Sequence, residues 1–287
     1  MKTTRTGDIR ALLSARGIRP SKAMGQHFLC DENMARWIVR RSGVGPTDAV
    51  LEIGPGLGAL TELLAQSAGE VVAIEADARL YNWLTDRFAD YPAVRLVHAD
   101  ALDVDWPAFF GSDRHWMLVS NLPYSSGTRM LMRLFELPTP PPRALVTLQM
   151  DVAERMVAGP GSPAYGLLAI WGGREYEAQI VRSIPPECFH PPPGVVSAVI
   201  ELRRRTTPLC VPRDLAGFRE LTRQAFMRRR KQMRRILLDL PPSLRSEPFD
   251  PDAALRAAGV APDARPETLP IQTWGALADA LHGVGSR

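Results

Sequence analysis

Glu52-Ile53-Gly54-Pro55-Gly56-Leu57-Gly58 joins two kinds of pattern: the run Ala49–Ile53 reads as a buried strand, and Ala59–Ala65 as a helix. Glycines at such a turn let the backbone approach a nucleotide-like ligand and expose amides near a helix N-terminus. The spacing is G-x-G-x-G rather than the G-x-G-x-x-G of dinucleotide enzymes, and no partner for nicotinamide chemistry accompanies it. Outward from this loop, Val71–Ile74, Val94–Val97, Trp116–Val119 and Ala144–Leu148 repeat the strand signal, with helical stretches between several of them. Strands alternating with helices predict βαβ units, a largely parallel sheet and an α/β, Rossmann-like fold. Tyr176–Ser183 and Val195–Leu202 read as two later strands around a proline-rich loop, an antiparallel pair expected at the sheet edge. Before the sheet, Asp31 is placed to cap a helix whose apolar face includes Met34, Trp37 and Ile38.

A boundary is expected near Thr206-Thr207-Pro208, dividing residues 1–206 from a small all-helical domain at 207–287. Leu215, Phe218, Leu221 and Ala225 recur at helical spacing, and Phe226, Arg230, Met233 and Leu237 continue a similar period. Further helices are expected around Asp252–Ala258 and Ile271–Leu281.

The 287 residues are 45% hydrophobic and 23% charged, ordinary for a globular chain. No apolar run approaches the roughly 18 residues that span a bilayer, and Met1–Asp8 leads into no apolar signal segment. Cys30, Cys188 and Cys210 are odd in number and lack CxxC spacing, which argues against a disulfide framework or a metal site and fits a reducing cytoplasm. The formal charge of +4 is unevenly spread. Residues 203–235 hold twelve Arg or Lys against Asp214 and Glu220, and residues 1–25 hold six against Asp8. Such concentration is what neutralising phosphates requires, and Arg223, Arg228, Arg229, Arg230, Lys231, Arg234 and Arg235 are the expected phosphate contacts of a nucleic-acid partner.

Chemistry concentrates at the strand ends. Glu75 closes the second strand, placed to accept both hydroxyls of a ribose, and Asp100-Ala101 closes the third, where a carboxylate can accept from an adenine amino group. With Gly54 and Gly56 these outline a crevice at the carboxyl edge of the sheet. After the fourth strand comes Asn121-Leu122-Pro123-Tyr124. The lone pair of an adenine N6 is delocalised into the ring. The Asn121 side-chain carbonyl and the Leu122 main-chain carbonyl can accept from its hydrogens, localise that pair and aim it at an activated methyl. Pro123 stiffens the turn, and Tyr124 offers a face for a flipped base. A sulfonium methyl donor needs no metal and no covalent nucleophile. DNA adenine methylation fits less well, because its D/N-P-P-Y/F motif puts proline directly after the acidic or amide residue.

With these motifs in order, the chain resembles the KsgA-type ribosomal RNA adenine dimethyltransferases, a family that includes eukaryotic dimethylases and the Erm branch. The resemblance covers nearly the whole chain. Gly25-Gln26-His27-Phe28-Leu29 is similar to the family's GQ[NH]FL segment, and Arg155–Gly161 and Tyr165–Leu168 to its middle region. Phe189-His190-Pro191-Pro192-Pro193, followed by Val195 and Ser197–Val199, resembles its F-x-P-P-P-K-V-x-S-A-V element, and Phe226–Lys231 its basic F-x-x-R-R-K stretch.

The resemblance implies a Rossmann-like S-adenosylmethionine-dependent methyltransferase sheet with a small C-terminal helical domain. It implies cofactor contacts from Gln26, His27, Leu29, Gly54, Gly56, Glu75, Asp100, Ala101 and Asn121. It further implies that Tyr124 and Phe189 sandwich the target adenine beside Asn121, Leu122 and Pro123. The implied reaction is N6,N6-dimethylation of two adjacent adenosines near the 3′ end of small-subunit rRNA, in a partly assembled 30S particle. NLPY rather than NIPY favours that branch over Erm-type enzymes; single-adenosine methylation of large-subunit rRNA and a non-catalytic assembly role are the alternatives. A monomer acting in the cytoplasm, with no membrane partner, is expected. Three positions depart from the pattern: Gly194 where lysine is common, Ser125-Ser126-Gly127 after the tetrad, and Met150-Asp151 in place of lysine and glutamate.

Overall fold

The computed structural model describes residues 6–109, 115–245 and 247–281; Lys2 and Arg5 of the basic N-terminal segment lie outside them. Among the described residues, β2 (Ala49–Ile53), β3 (Glu70–Glu75), β4 (Val94–His98), β5 (Trp116–Asn121), β6 (Arg143–Gln149), β7 (Tyr176–Ile184) and β9 (Ser197–Arg204) form one sheet in the order β4-β3-β2-β5-β6-β9-β7. The pairings from β4 through β6 are parallel, and β9 runs antiparallel to β6. The two late strands are adjacent, as expected, but β9 is interior and only β7 forms the edge. Its alternate residues Ala198, Ile200 and Leu202 are fully buried, and such a strand is stable only between partners. A second sheet escapes the sequence patterns because each strand has two residues: β1 (Phe28–Leu29) pairs with β8 (Phe189–His190).

Strand order reverses between β2 and β5, the switch point where open α/β sheets bind ligands. Ladder pairing there reaches Leu51↔Leu118. Beyond it the buried Ser120 hydroxyl donates to the Ile53 carbonyl at 2.6 Å, satisfying a main-chain acceptor where the strands part.

Helix α2 (Glu32–Ser42) begins where predicted: the Asp31 carboxylate accepts from the Met34 amide at 2.8 Å. Its apolar face packs on β2, β5 and β6 through Met34, Ile38, Val50, Val119 and Leu145. On the other side, α1 (Thr6–Ala15) inserts Ile9, Leu12 and Leu13 among Phe28, Leu57 and residues of α4 (Ala78–Arg87). Helices α3 (Ala59–Ala65) and α5 (Gly127–Glu136) complete the layers around the sheet.

The chain divides into two compact units: residues 1–153 with 178–204, and residues 154–177 with 205–287. One boundary at 206 is thus replaced by three crossings. The segment carrying the second half of α6 (Met150–Val157) and all of α7 (Leu167–Glu175) belongs with the C-terminal helices because its apolar surface is matched there. Trp171 Nε1 donates to Thr222 on α8 (Leu215–Met227) at 3.0 Å, and Phe226 meets Tyr165 and Trp274 at ring-centroid separations of 6.2 and 6.0 Å. The helical period expected to run from Phe226 to Leu237 breaks. A turn closed by Lys231 N–H to the Arg228 carbonyl separates α8 from α9 (Met233–Leu238), whose first amide bonds the Ala264 carbonyl instead. Helices α10 (Pro251–Ala257) and α11 (Ile271–Ala280) lie within two residues of expectation. Among the described residues, no helix is long and apolar enough to cross a membrane.

Replacing Asp31 by Ala removes the α2 cap and should lower stability by about 1 kcal/mol. Asp31→Asn keeps an acceptor and should lose at most a few tenths; denaturant midpoints of the two variants check this.

Candidate active site

The two glycine turns and the tetrad line one cavity of about 340 Å³ at the carboxyl ends of β2, β3 and β5. Gln26, His27, Leu29, Gly54, Gly56, Glu75, Asp100, Ala101, Asn121, Leu122, Pro123 and Tyr124 all border it; Phe189 does not. Glycine is required here by contact as well as by conformation. Gly54 has φ +67°, and a Cβ on it would lie 3.0 Å from Pro123 Cγ; Gly56 has φ +60°, and its Cβ would meet Phe28 at 2.9 Å. Gly25 (φ +61°) lies so close to the tetrad that a Cβ would stand 2.5 Å from the Ser125 amide nitrogen, and its carbonyl accepts from the Tyr124 amide at 3.4 Å.

Asn121 is held by a single bond: its Nδ2 donates to the His27 carbonyl at 3.1 Å. That bond identifies the opposite atom as oxygen, and Asn121 Oδ1 is buried with no hydrogen-bond partner. Asn121 lines the cavity, and a buried acceptor without a partner among the described residues calls for a donor from a ligand. The Leu122 amide donates to the Thr147 carbonyl at 3.0 Å, which anchors the turn to β6. The Tyr124 hydroxyl bonds Ser197 Oγ on β9, and burial raises its pKa. The His27 ring lies 4.8 Å from the Tyr124 ring, tilted 40°, with Nδ1 2.7 Å from the Pro191 carbonyl oxygen, so that nitrogen carries the hydrogen.

Glu75 is buried at the end of β3. Its oxygens accept from the Gly56 amide at 3.2 Å and the Asp77 amide at 2.9 Å, leaving further lone pairs for hydroxyl donors. Burial pushes its pKa up to about 7 against the lowering effect of those amides. Glu52, absent from the expected site residues, also borders the cavity; burial pushes it to about 8, opposed by the Thr61 hydroxyl at 2.7 Å. Asp77 behaves oppositely: the Arg79 guanidinium, partly offset by burial and aided by Gln26, holds it at about 2. Asp100 is exposed, with Oδ1 accepting from the Leu102 amide at 2.9 Å. Its turn is anchored by the fully buried Trp106, whose Nε1 donates to the Ala101 carbonyl at 2.6 Å, a contact that sequence spacing does not reveal. Arg129 and Ser125 also border the cavity without having been expected there.

Phe189 departs from the expected sandwich. It is 2% exposed, packs in the main core, and meets Tyr124 edge-on at 6.3 Å with ring planes 72° apart. No parallel slot for a base exists between these rings in this conformation; only Tyr124 borders the cavity.

These features match known proteins. A family model described as ribosomal RNA adenine dimethylase matches residues 19–268. The chain belongs to the ribosomal RNA adenine dimethylase family. Two relatives called ribosomal RNA small subunit methyltransferase A come from Jannaschia and Geobacillus thermodenitrificans. The first is 42% identical over 96% of this chain and 94% of its own length. The second is 38% identical over 96% and 95%. A dimethyladenosine transferase from Plasmodium falciparum shares the fold, with a TM-score of 0.73 at 23% identity over 88% of this chain and 96% of its own. The 23S rRNA methyltransferase ErmE aligns with a TM-score of 0.64 at 27% identity over 88% and 99%. As a member of the dimethylase family, the chain is an rRNA adenine methyltransferase that uses S-adenosylmethionine.

The second unit presents the basic residues less openly than their sequence clustering suggested. Arg223 pairs with Glu220 at 2.5 Å and lies over Trp171, Arg234 pairs with Asp252 at 2.8 Å, and Arg228 and Arg235 both approach Asp239. Arg229 donates to the carbonyls of Pro163 and Ser162 at 2.7 and 3.1 Å and approaches Glu267, which makes it a brace for that turn. Arg230, Lys231 and the adjacent Met227 are exposed, Met227 to 74%. Apart from Glu220, the acids responsible (Asp239, Asp252 and Glu267) lie beyond residue 235, outside the basic stretch counted from the sequence.

Because Glu75 and Glu52 hold protons more tightly when folded, each opposes folding once pH rises above the unfolded carboxyl value, with the full cost above about 7 and 8. Glu75→Gln and Glu52→Gln should therefore stabilise the unliganded protein at pH 8, by about 1–3 kcal/mol each, and leave it nearly unchanged at pH 4. Unfolding midpoints at the two pH values check the sign.

Proposed function

We propose that the protein dimethylates N6 of two adjacent adenosines near the 3′ end of small-subunit rRNA, presented in a partly assembled 30S particle, and acts as a cytoplasmic monomer. Family membership and relatives about 40% identical along nearly the full chain support this reading. The observation that carries the site assignment is Asn121 lining the cavity with its Oδ1 buried and unpartnered among the described residues.

S-adenosylmethionine, when bound, supplies a methyl group activated as an electrophile. Its methionine end is assigned to Gln26, His27, Leu29, Gly54 and Gly56, its ribose to Glu75, and its adenine to Asp100 and Ala101. Asn121 Oδ1 and the Leu122 carbonyl accept from the target amino group, which withdraws its lone pair from ring conjugation. The His27 carbonyl keeps the Asn121 amide from flipping, so the acceptor is presented without reorganisation. Tyr124 offers the stacking face, and its bond to Ser197 fixes the ring plane. Phe189 supports Tyr124 from beneath, as the second wall of the acceptor site once the rings adjust. On the helical unit, Arg230 and Lys231 are the principal phosphate contacts, with Arg223, Arg228, Arg234 and Arg235 contributing through their exposed faces and Arg229 holding the turn that displays them.

Asn121→Ala should lower turnover at least 100-fold while changing the Kd for S-adenosylmethionine by less than about tenfold. Retained turnover in single-turnover assays on unmethylated 30S particles would refute the acceptor role. Supplying 30S particles and 50S precursors side by side with labelled cofactor should label adjacent adenosines in the small-subunit RNA alone; label confined to the 50S arm would refute the substrate. Replacing Arg230 and Lys231 by Gln should flatten the logarithmic salt dependence of RNA binding by about 1–2, whereas Arg229→Gln should lower stability as well.

A further inference from the structure

We infer that Arg129 is a substrate-binding residue whose guanidinium takes an RNA phosphodiester beside the flipped adenosine, at the rim of the acceptor pocket. The inference rests on the RNA-substrate reading above.

Arg129 is exposed and borders the same cavity as the tetrad. Main-chain bonds fix its place. The Gly127 amide donates to the Pro123 carbonyl at 2.8 Å, so α5 starts within one turn of the tetrad. The Met130 amide donates to the Ser126 carbonyl at 2.9 Å and closes that first turn around Arg129. The backbone that carries the guanidinium is therefore continuous with the loop that holds Asn121 and Tyr124.

The fold itself makes no use of this side chain. Among the described residues, no ion pair, side-chain hydrogen bond or ring contact engages it. No acid stands three or four residues away, where Ser125, Ser126, Met132 and Arg133 are found. A cation in the first turn faces the positive end of the helix macrodipole, and Arg133 one turn on is a like charge. Arg133, by contrast, is structural: it donates to the Val104 carbonyl and lies over Trp106, 5.7 Å from the ring centroid. Arg129 is thus an unfavourable choice for the helix on two counts, and such local departures are expected where a residue serves a ligand.

The cavity's own charges identify that ligand. Arg129 is the only Lys or Arg among the described residues that line it, and the carboxylates there are Glu52, Glu75 and Asp100. A polyanion entering meets an acidic lining, which a guanidinium at the rim offsets while offering paired donors to phosphate oxygens. Two anionic groups come to this cavity: the methionine carboxylate of the cofactor and the phosphodiester of the target. The methionine end is assigned to the segment before β2 and the glycine loop after it, whereas Arg129 follows Tyr124, the stacking face for the target base. A base resting on Tyr124 leaves its own phosphates at the cavity mouth, on the exposed side where Arg129 stands.

Arg129→Ala should raise KM for unmethylated 30S particles about five- to tenfold and lower the logarithmic salt slope of binding by about 1. The rate at saturation and the Kd for S-adenosylmethionine should stay within about twofold. Arg129→Lys keeps the charge without the planar fork, so it should recover the salt slope and only part of KM. The denaturant midpoint of Arg129→Ala should be unchanged or higher; a lower one would make the residue structural and overturn the proposal. So would a KM and salt slope equal to those of the unsubstituted protein. A raised Kd for S-adenosylmethionine with KM for the particle unchanged would assign the guanidinium to the cofactor carboxylate, and also overturn it. No methylation of 30S particles or 50S precursors by the unsubstituted protein would instead overturn the substrate reading, and this inference with it.

Discussion

The bond from Asn121 Nδ2 to the His27 carbonyl ties two segments 94 residues apart and sets the orientation of the tetrad's only side-chain amide. An unrestrained amide at the end of a strand would rotate freely and present donor or acceptor alike. Here one donor is satisfied by a main-chain carbonyl, and the oxygen is left buried without a partner among the described residues. The His27 carbonyl is in place because Gly25, with positive φ, lets the N-terminal segment turn against the amides of Tyr124 and Ser125, and because β1 is clamped by β8. The cavity wall is therefore built chiefly from five stretches of chain: the glycine loop after β2, the strand end at Glu75, the turn at Asp100-Ala101 after β4, the tetrad after β5 and the segment leading into β1.

Electrostatic cost is concentrated at the same place. Glu52 and Glu75 lie within the low-dielectric end of the sheet, where ionisation is opposed by burial, and Glu75 is only partly compensated by two amides. Nearby Asp77, beside Arg79, ionises readily. A fold selected for stability alone would place apolar side chains at 52 and 75. Their place at the carboxyl edge of β2 and β3, along the cavity that Asn121 also lines, marks a surface shaped for a polar ligand.

In the helical unit the arginines serve two purposes. Arg229 braces the Ser162-Pro163 turn and Arg223 covers Trp171, so part of the basic cluster is structural. The break between α8 and α9 turns Arg230 and Lys231 outward, beside an exposed methionine, where they remain available to phosphates.

The parallel strands, the glycine loop, Asn121-Leu122-Pro123-Tyr124, Glu75 and the Asp31 cap were all legible in the sequence. Each depends on local periodicity, turn chemistry or spacing to the end of a strand, and these are properties of a short stretch of chain. What the linear pattern could not supply was decided by contacts between distant residues. Two-residue strands such as β1 and β8 carry no periodicity, and the interior place of β9 depends on its partners. The acids that pair with Arg229 and Arg234, Glu267 and Asp252, lie 38 and 18 residues further along the chain. The edge-on burial of Phe189 and the unpartnered oxygen of Asn121 arise only when the layers close, because packing and desolvation act between side chains that the sequence keeps far apart.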